Sequence, residues 1–173
     1  MKNVSPMVAA ALALTLAALP GRATAQTAAS PVQVALVSLV VGKDAKGNEV
    51  LFALPKSGTR PGEVLAWQAT AQSTSDKDLR GLTLNIPIPE ATVYVAESAK
   101  MTVNGQAVTP KFSTDGKTFA FAPLKKTVQV TKNGVTSSEE VTVSPSEYRA
   151  VRFMVPVLAA KTSVLAEVRT SVK

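Results

Sequence analysis

The chain has 173 residues, of which 46% are hydrophobic and 18% are charged, and its formal net charge is +7. This composition is typical of one globular domain and excludes a disordered chain. The chain contains no His and no Cys. Their absence excludes a Ser-His-Asp triad, a Cys nucleophile, a disulfide framework and the commonest ligands of zinc, copper and iron. We therefore expect a protein without enzyme activity, cofactor or metal.

Residues 1–25 have the organisation of a secretory signal peptide. Lys2 precedes the apolar run 8–19, which is too short to span a bilayer and ends at Pro20. Ala23-Thr24-Ala25 then fits the small-x-small cleavage rule, which makes Gln26 the mature N-terminus. The alternative is an N-terminal membrane anchor, but the shortness of the apolar run favours cleavage. We expect export to the periplasm, cell envelope or cell surface, with no transmembrane segment.

The mature chain, residues 26–173, is expected to form a single all-β domain. Apolar residues recur with period two in short stretches, and turn signals separate these stretches about every 8–12 residues. Such spacing is typical of a sandwich or barrel and predicts about nine or ten strands. No low-complexity tract or linker divides the sequence.

The first predicted strand, Val32 to Val41, is apolar on both faces. This pattern is typical of a strand that is buried between layers or pairs with another element. The sequence allows two locations for this strand. The strand can belong to the sheet of its own domain, or it can insert into a neighbouring subunit by donor-strand assembly.

A second strand is predicted from Glu49 to Leu54. The clearest strand begins after Gly62 and places Leu65, Trp67, Ala69 and Ala71 on one side. We interpret this side as the core face, so core packing of Trp67 is favoured over stacking on a sugar. Further along, two dipeptides that tolerate positive φ, Asn104-Gly105 and Asp115-Gly116, predict tight hairpins. A third turn is predicted at Asn133-Gly134, after Thr127 to Val130. Alternating apolar residues then predict two final strands, at 151–155 and 164–168.

Several of these segments are similar to the prokaryotic conserved repeat domain, also called domain of unknown function eleven. The similar stretches are Arg60 to Ser73, Leu79 to Pro89, Tyr94-Val95, Glu147 to Phe153 and Val157-Leu158 with the last strand. The resemblance implies an immunoglobulin-like antiparallel β-sandwich on an exported bacterial envelope protein, here in a single-domain version. It carries no catalytic residues to transfer.

A lysine-rich segment is the main charged feature of the mature chain. Between Lys100 and Lys132 there are six lysines and one acid, Asp115. A clustered positive surface attracts anionic glycans or other envelope polymers. Alternatively, the lysines protect exposed strand edges from pairing with neighbours. Nucleic acid is excluded as a partner because the chain is exported and few aromatics lie among the lysines. The candidate partner-binding residues are Lys111, Lys117, Lys125, Lys126, Lys132 and Tyr94, the last being the only ring expected to be exposed.

Two close acidic pairs are the remaining candidates for chemistry. Asp76 with Asp78 falls in a turn, and Glu139 with Glu140 follows the third turn. A glycosidase needs two carboxylates that face each other across a cleft, and the turn pair is better explained as a solvated loop. We therefore expect a non-enzymatic structural or accessory binding subunit of a cell-surface assembly, whose partners are envelope proteins. The alternatives are a module that binds anionic glycans and a small hydrolase with an unrecognised carboxylate pair.

Overall fold

The computed structural model describes residues 30–133 and 135–173. The predicted signal peptide lies outside this range. The described residues form an all-β structure of antiparallel sheets, consistent with a β-sandwich, and contain twelve strands rather than the expected nine or ten. Among them, no helix is long and apolar enough to cross a membrane. The strands are β1 (Val32–Lys43), β2 (Glu49–Ala53), β3 (Val64–Ser73), β4 (Leu79–Pro87), β5 (Thr92–Tyr94), β6 (Lys100–Val103), β7 (Gln106–Ala107), β8 (Lys111–Ser113), β9 (Lys125–Lys132), β10 (Val135–Thr142), β11 (Ala150–Leu158) and β12 (Ser163–Val172), and a 3-10 turn (Pro145–Glu147) precedes β11.

The strands form two sheets and a separate hairpin. The larger sheet has the order β2-β1-β3-β12-β6-β7, and β5 also pairs with β12. The smaller sheet has the order β4-β11-β8, and β9 pairs with β10 alone. The two sheets contribute to one cluster of buried side chains. A cluster of this kind is expected where the apolar faces of two sheets pack together.

The centre of each sheet supplies the core. In the larger sheet, Ala69 lies opposite Ala166 and both are buried. In the smaller sheet, Phe153 lies opposite Leu84 and both are buried. Trp67 packs against this cluster, and its indole Nε1 donates to Thr170 Oγ1 at 2.9 Å. The predicted core face of the strand after Gly62 is therefore confirmed.

The first strand lies in its own sheet, so it pairs with another element of the domain and is not buried between layers over its first half. β1 pairs with β3 from Val32 opposite Ser73 to Val40 opposite Leu65. Nevertheless, residues 33–37 are all exposed. The smaller sheet has only three strands and the larger sheet is six strands wide. The outer strands β1 and β2 therefore extend beyond the overlap of the two sheets.

The hairpin predictions hold in part. Asn104 and Gly105 have φ values of 50° and 79° and connect β6 to β7, as the dipeptide predicts. The second hairpin is shorter than expected, because a single bridge between Phe112 and Ala120 replaces a strand over 118–121. At the third turn, β9 pairs along its full length with β10, a strand that we did not predict. The sequence of β10, VTSSEEVT, lacks the apolar alternation that would indicate it.

Candidate interaction surfaces

The outer edge of β1 is open over seven residues. β2 pairs with β1 only from Leu39 opposite Ala53 to Lys43 opposite Glu49. Within the described residues, no strand pairs with the same edge from Val32 to Ser38. A strand rises about 3.3 Å per residue, so this open edge is about 23 Å long. Every second residue along it directs its backbone N–H and C=O away from β3, where they can pair with another strand.

The open edge has none of the usual protection against pairing. Exposed edges in natural proteins carry charged residues, proline or bulges that discourage a second strand. From Val32 to Gly42 there is no charged residue and no proline. The register with β3 is continuous over nine residue pairs, so no bulge interrupts it. The backbone geometry and the side chains are therefore both compatible with addition of a strand.

An apolar shelf lies beside the open edge; we define it as Val34, Leu36 and Phe52. Val34 lies opposite Ala71 of β3, so it occupies the face of the sheet that packs on the core. Leu36 and Phe52 lie on the same face by register, and the three side chains are 59%, 44% and 45% exposed. A Cβ at Gly42 would lie 2.8 Å from a ring carbon of Phe52. Glycine at this position thus makes room for the ring against β1.

An ion pair ties this flank to the centre of the sheet. Arg169 on β12 donates from Nη1 and Nη2 to the two carboxylate oxygens of Glu49 on β2, at 2.9 and 2.6 Å. The pair spans the two intervening strands β1 and β3. Hydrogen bonding to Arg169 lowers the pKa of Glu49, and the same bonds raise the pKa of the guanidinium. The flank is therefore held in a defined position, although no second sheet among the described residues covers it.

A pocket of about 500 Å³ lies near the base of the β9–β10 hairpin. Four aromatic rings line it, and three of them pack together, with centroid distances of 5.2 Å between Tyr94 and Phe112 and 4.8 Å between Phe112 and Tyr148. Tyr94 is only 6% exposed and its hydroxyl accepts from Ala99 N at 3.2 Å. Burial raises its pKa. The expectation that Tyr94 is an exposed ring is therefore wrong. Instead, its ring packs in an aromatic cluster that borders the pocket.

The β9–β10 hairpin, which we call the arm, carries three of the predicted lysines, and acids accompany each of them. Lys125 Nζ lies 2.7 Å from Glu140, and Lys132 Nζ lies 2.8 Å from Glu139, both across the hairpin. Lys126 Nζ lies 2.5 Å from Glu147 in the 3-10 turn and lowers the pKa of that carboxyl. The acids of strand β10 follow Lys132 in the sequence, so the count of charged residues from Lys100 to Lys132 does not include them.

The other two predicted lysines lie on the smaller sheet and the turn beside it. Lys111 Nζ lies 4.9 Å from the centroid of the Phe121 ring. Lys117 lies in the turn after β8, where its backbone N–H donates to Asp115 at 2.8 Å. Together with the N–H of Thr118, this bond holds the pKa of Asp115 far below its usual range. Binding of an anionic partner by the five lysines stays a prediction.

The acidic pairs do not form a facing pair of carboxylates. Asp76 lies 2.9 Å from Lys161 Nζ, and Asp78 accepts from Ala160 N at 3.1 Å, so both stabilise one turn. Glu139 and Glu140 are adjacent on β10, and adjacent residues on a strand point to opposite faces. In the part of the chain that the structure describes, no group of three or more carboxylates could hold a metal ion.

Comparison of the chain with protein-family models, with curated proteins and with solved structures gave no match.

Proposed function

We propose that this protein is a non-enzymatic, exported bacterial envelope protein that serves as a structural or accessory binding subunit of a surface assembly. In this proposal its two sheets form an immunoglobulin-like sandwich, and it binds its partner by adding a strand to the open edge of β1. The observation that carries the proposal is the uncharged seven-residue edge with the apolar shelf beside it. Main-chain hydrogen bonds supply affinity in this mode of recognition, and side-chain contacts supply specificity.

Export and envelope location are supported by the sequence. Residues 1–25 have the basic start, short apolar run and small-residue cleavage site of a signal peptide. The resemblance to the prokaryotic conserved repeat domain points to the envelope of a bacterium. The alternative of an anionic-glycan module has less support, because acids pair with three of its five lysines.

The proposal is tested by expressing the full chain in a bacterium and fractionating the cells. We expect a product that starts at Gln26 and accompanies the envelope. The double variant Val34→Lys/Leu36→Lys places charge beside the open edge and should release the protein from the envelope fraction. The matched control is Met154→Lys/Leu165→Lys, which changes two apolar residues of similar exposure on β11 and β12, neither of which pairs with β1.

Two results would contradict the proposal. One is an unprocessed protein that stays inside the cell, and the other is a wild-type protein found wholly in the culture medium. Equal release of the edge variant and the control would show that the edge of β1 is not the binding surface.

A further inference from the structure

We infer that the strand that occupies the open edge of β1 is β1 of a second copy of this chain. The two strands pair antiparallel about a two-fold axis normal to the sheet, which gives a homodimer with one continuous sheet. This inference rests on the proposed function, because it names the partner of the edge that the proposal assigns to binding.

The length of the opening is the first argument. β2 covers the edge from Leu39 onward, and Pro31, which has no N–H to donate, lies just before β1 begins. The opening therefore accepts a strand of about seven residues at the rise of an antiparallel strand. The corresponding segment of a second copy, Val32 to Ser38, has this length because its own β2 covers the remainder of its edge. The open segment of each copy therefore has the length that the open edge of the other copy accepts, as a two-fold interface requires.

The absence of charge is the second argument. A two-fold axis at an antiparallel edge places residues near their own counterparts, so any charge on the edge would face a like charge. The eleven residues from Val32 to Gly42 contain no charge, and Gln33 and Ser38 are their only polar side chains. The formal net charge of the chain is +7, but this edge carries none of it. Two copies of the edge can therefore face each other without repulsion between like charges.

The register of the apolar side chains is the third argument. With Ala35 on the axis, Val34 lies opposite Leu36 of the second copy, and residues opposite each other point to the same face. Val34 and Leu36 of both copies then form one apolar patch between the two smaller sheets. Side chains that are 59% and 44% exposed in one chain gain apolar neighbours on that face. Cross-strand pairs of this type stabilise an antiparallel sheet.

The first test measures the mass of the purified, processed protein in solution by light scattering and sedimentation. We expect the wild type to be a dimer. Val34→Lys/Leu36→Lys places four lysines at the interface and should raise the dissociation constant at least about 100-fold. Met154→Lys/Leu165→Lys should stay dimeric. Circular dichroism and thermal unfolding of each variant show that it is folded. A wild type that is monomeric at every concentration would overturn the inference.

The second test uses the absence of native cysteine. Single substitutions Val34→Cys, Ala35→Cys and Leu36→Cys are oxidised and compared with Lys117→Cys, an exposed position on the turn after β8. A residue on the two-fold axis lies about 4.5–5.5 Å from its counterpart between Cα atoms, which permits a disulfide. We expect one of the three edge variants to form a covalent dimer at least about tenfold faster than Lys117→Cys, given this proximity. Equal rates at all four positions would overturn the inference.

The two proposals fail in different ways. A monomer that still binds the envelope through its β1 edge would overturn the homodimer and support the proposed function. A dimer linked through β1 that is found only in the medium would support the homodimer and overturn the proposed function.

Discussion

The larger sheet has a covered centre and an uncovered flank, and the two parts are built from similar residues. β3 and β12 at the centre contain Val, Leu, Ala and Thr, and their inward residues are buried. β1 at the flank is at least as apolar, but the residues from Gln33 to Val37 are exposed. The difference comes from the width of the smaller sheet, which has three strands. An apolar strand pattern therefore indicates a strand without indicating what covers it.

The comparison also separates stability from binding. The centre holds the contacts that exclude water, and burial of apolar area is the main source of folding free energy. The flank exposes its apolar side chains and one strand edge while the Glu49–Arg169 ion pair fixes its position. Mutations at the two parts should thus affect different measurements. The first of the following four experiments tests this directly, and the other three test what else stabilises the fold.

The largest expected effect is at the core. Phe153→Ala removes a fully buried ring from β11 and should lower the free energy of unfolding by about 3–5 kcal/mol. Leu36→Ala on the flank should change it by less than about 0.5 kcal/mol, because little buried area is lost. Urea denaturation measures both. Equal losses for the two variants would show that the flank is part of the folding core.

A smaller effect is expected at the hydrogen bond of the only tryptophan. Thr170 is fully buried and its Oγ1 accepts from Trp67 Nε1. Thr170→Val keeps the side-chain shape, removes the acceptor and should cost about 1–2 kcal/mol. Tryptophan fluorescence during unfolding reports the change directly, because the chain has one Trp. Thr83→Val, at an exposed site on β4, is the control and should be close to neutral.

Asp115 should make the stability of the fold depend on pH in the acidic range. Backbone N–H groups of Lys117 and Thr118 bind its carboxylate, so its pKa in the folded state is below the ordinary value of 3.8. A lowered pKa stabilises the fold above that ordinary value, and the contribution is lost as the pH falls below it. The stability difference between wild type and Asp115→Asn should therefore be largest near neutral pH and narrow below about pH 4.

Thermal unfolding from pH 7 downward measures this difference. Glu90→Gln, which changes an exposed acid elsewhere, controls for the general effect of removing a negative charge. A difference between wild type and Asp115→Asn that stays constant with pH would contradict the prediction.

The smallest effect is expected from shortening the arm. Lys125 and Thr142 are paired at the base of the hairpin. Replacing residues 126–141 by Asn-Gly connects these two residues through a two-residue turn. Since a two-stranded hairpin is only marginally stable by itself, the free energy of unfolding should change by less than about 1 kcal/mol. Chemical denaturation measures it. A large loss would show that the arm packs on the body and belongs to the stable core.

Some parts of the fold could be predicted from the sequence because their signals are local. Period-two alternation identified the strands of the core, including the face that carries Trp67. Asn104-Gly105 identified a hairpin through the positive φ that this dipeptide tolerates. β10 was missed because both of its faces are largely exposed and its sequence has no apolar alternation to show a buried side. The wrong expectation for Tyr94 has a related cause, since a ring near a strand end carries no local mark of the Phe112 and Tyr148 rings that cover it.

The sequence by itself determined the all-β class, the hairpin at Asn104-Gly105 and the inward face of β3, since each depends on backbone preferences and side-chain alternation over a few residues. Only the tertiary structure decided that acids on β10 and in the 3-10 turn lie beside the lysines of β9. It also decided that, in residues 30–133 and 135–173, nothing covers the first half of β1 and its edge is open over seven residues. These properties depend on which strands become neighbours and how far one sheet extends over the other. Contacts between residues distant in the chain set both, and no local pattern records them.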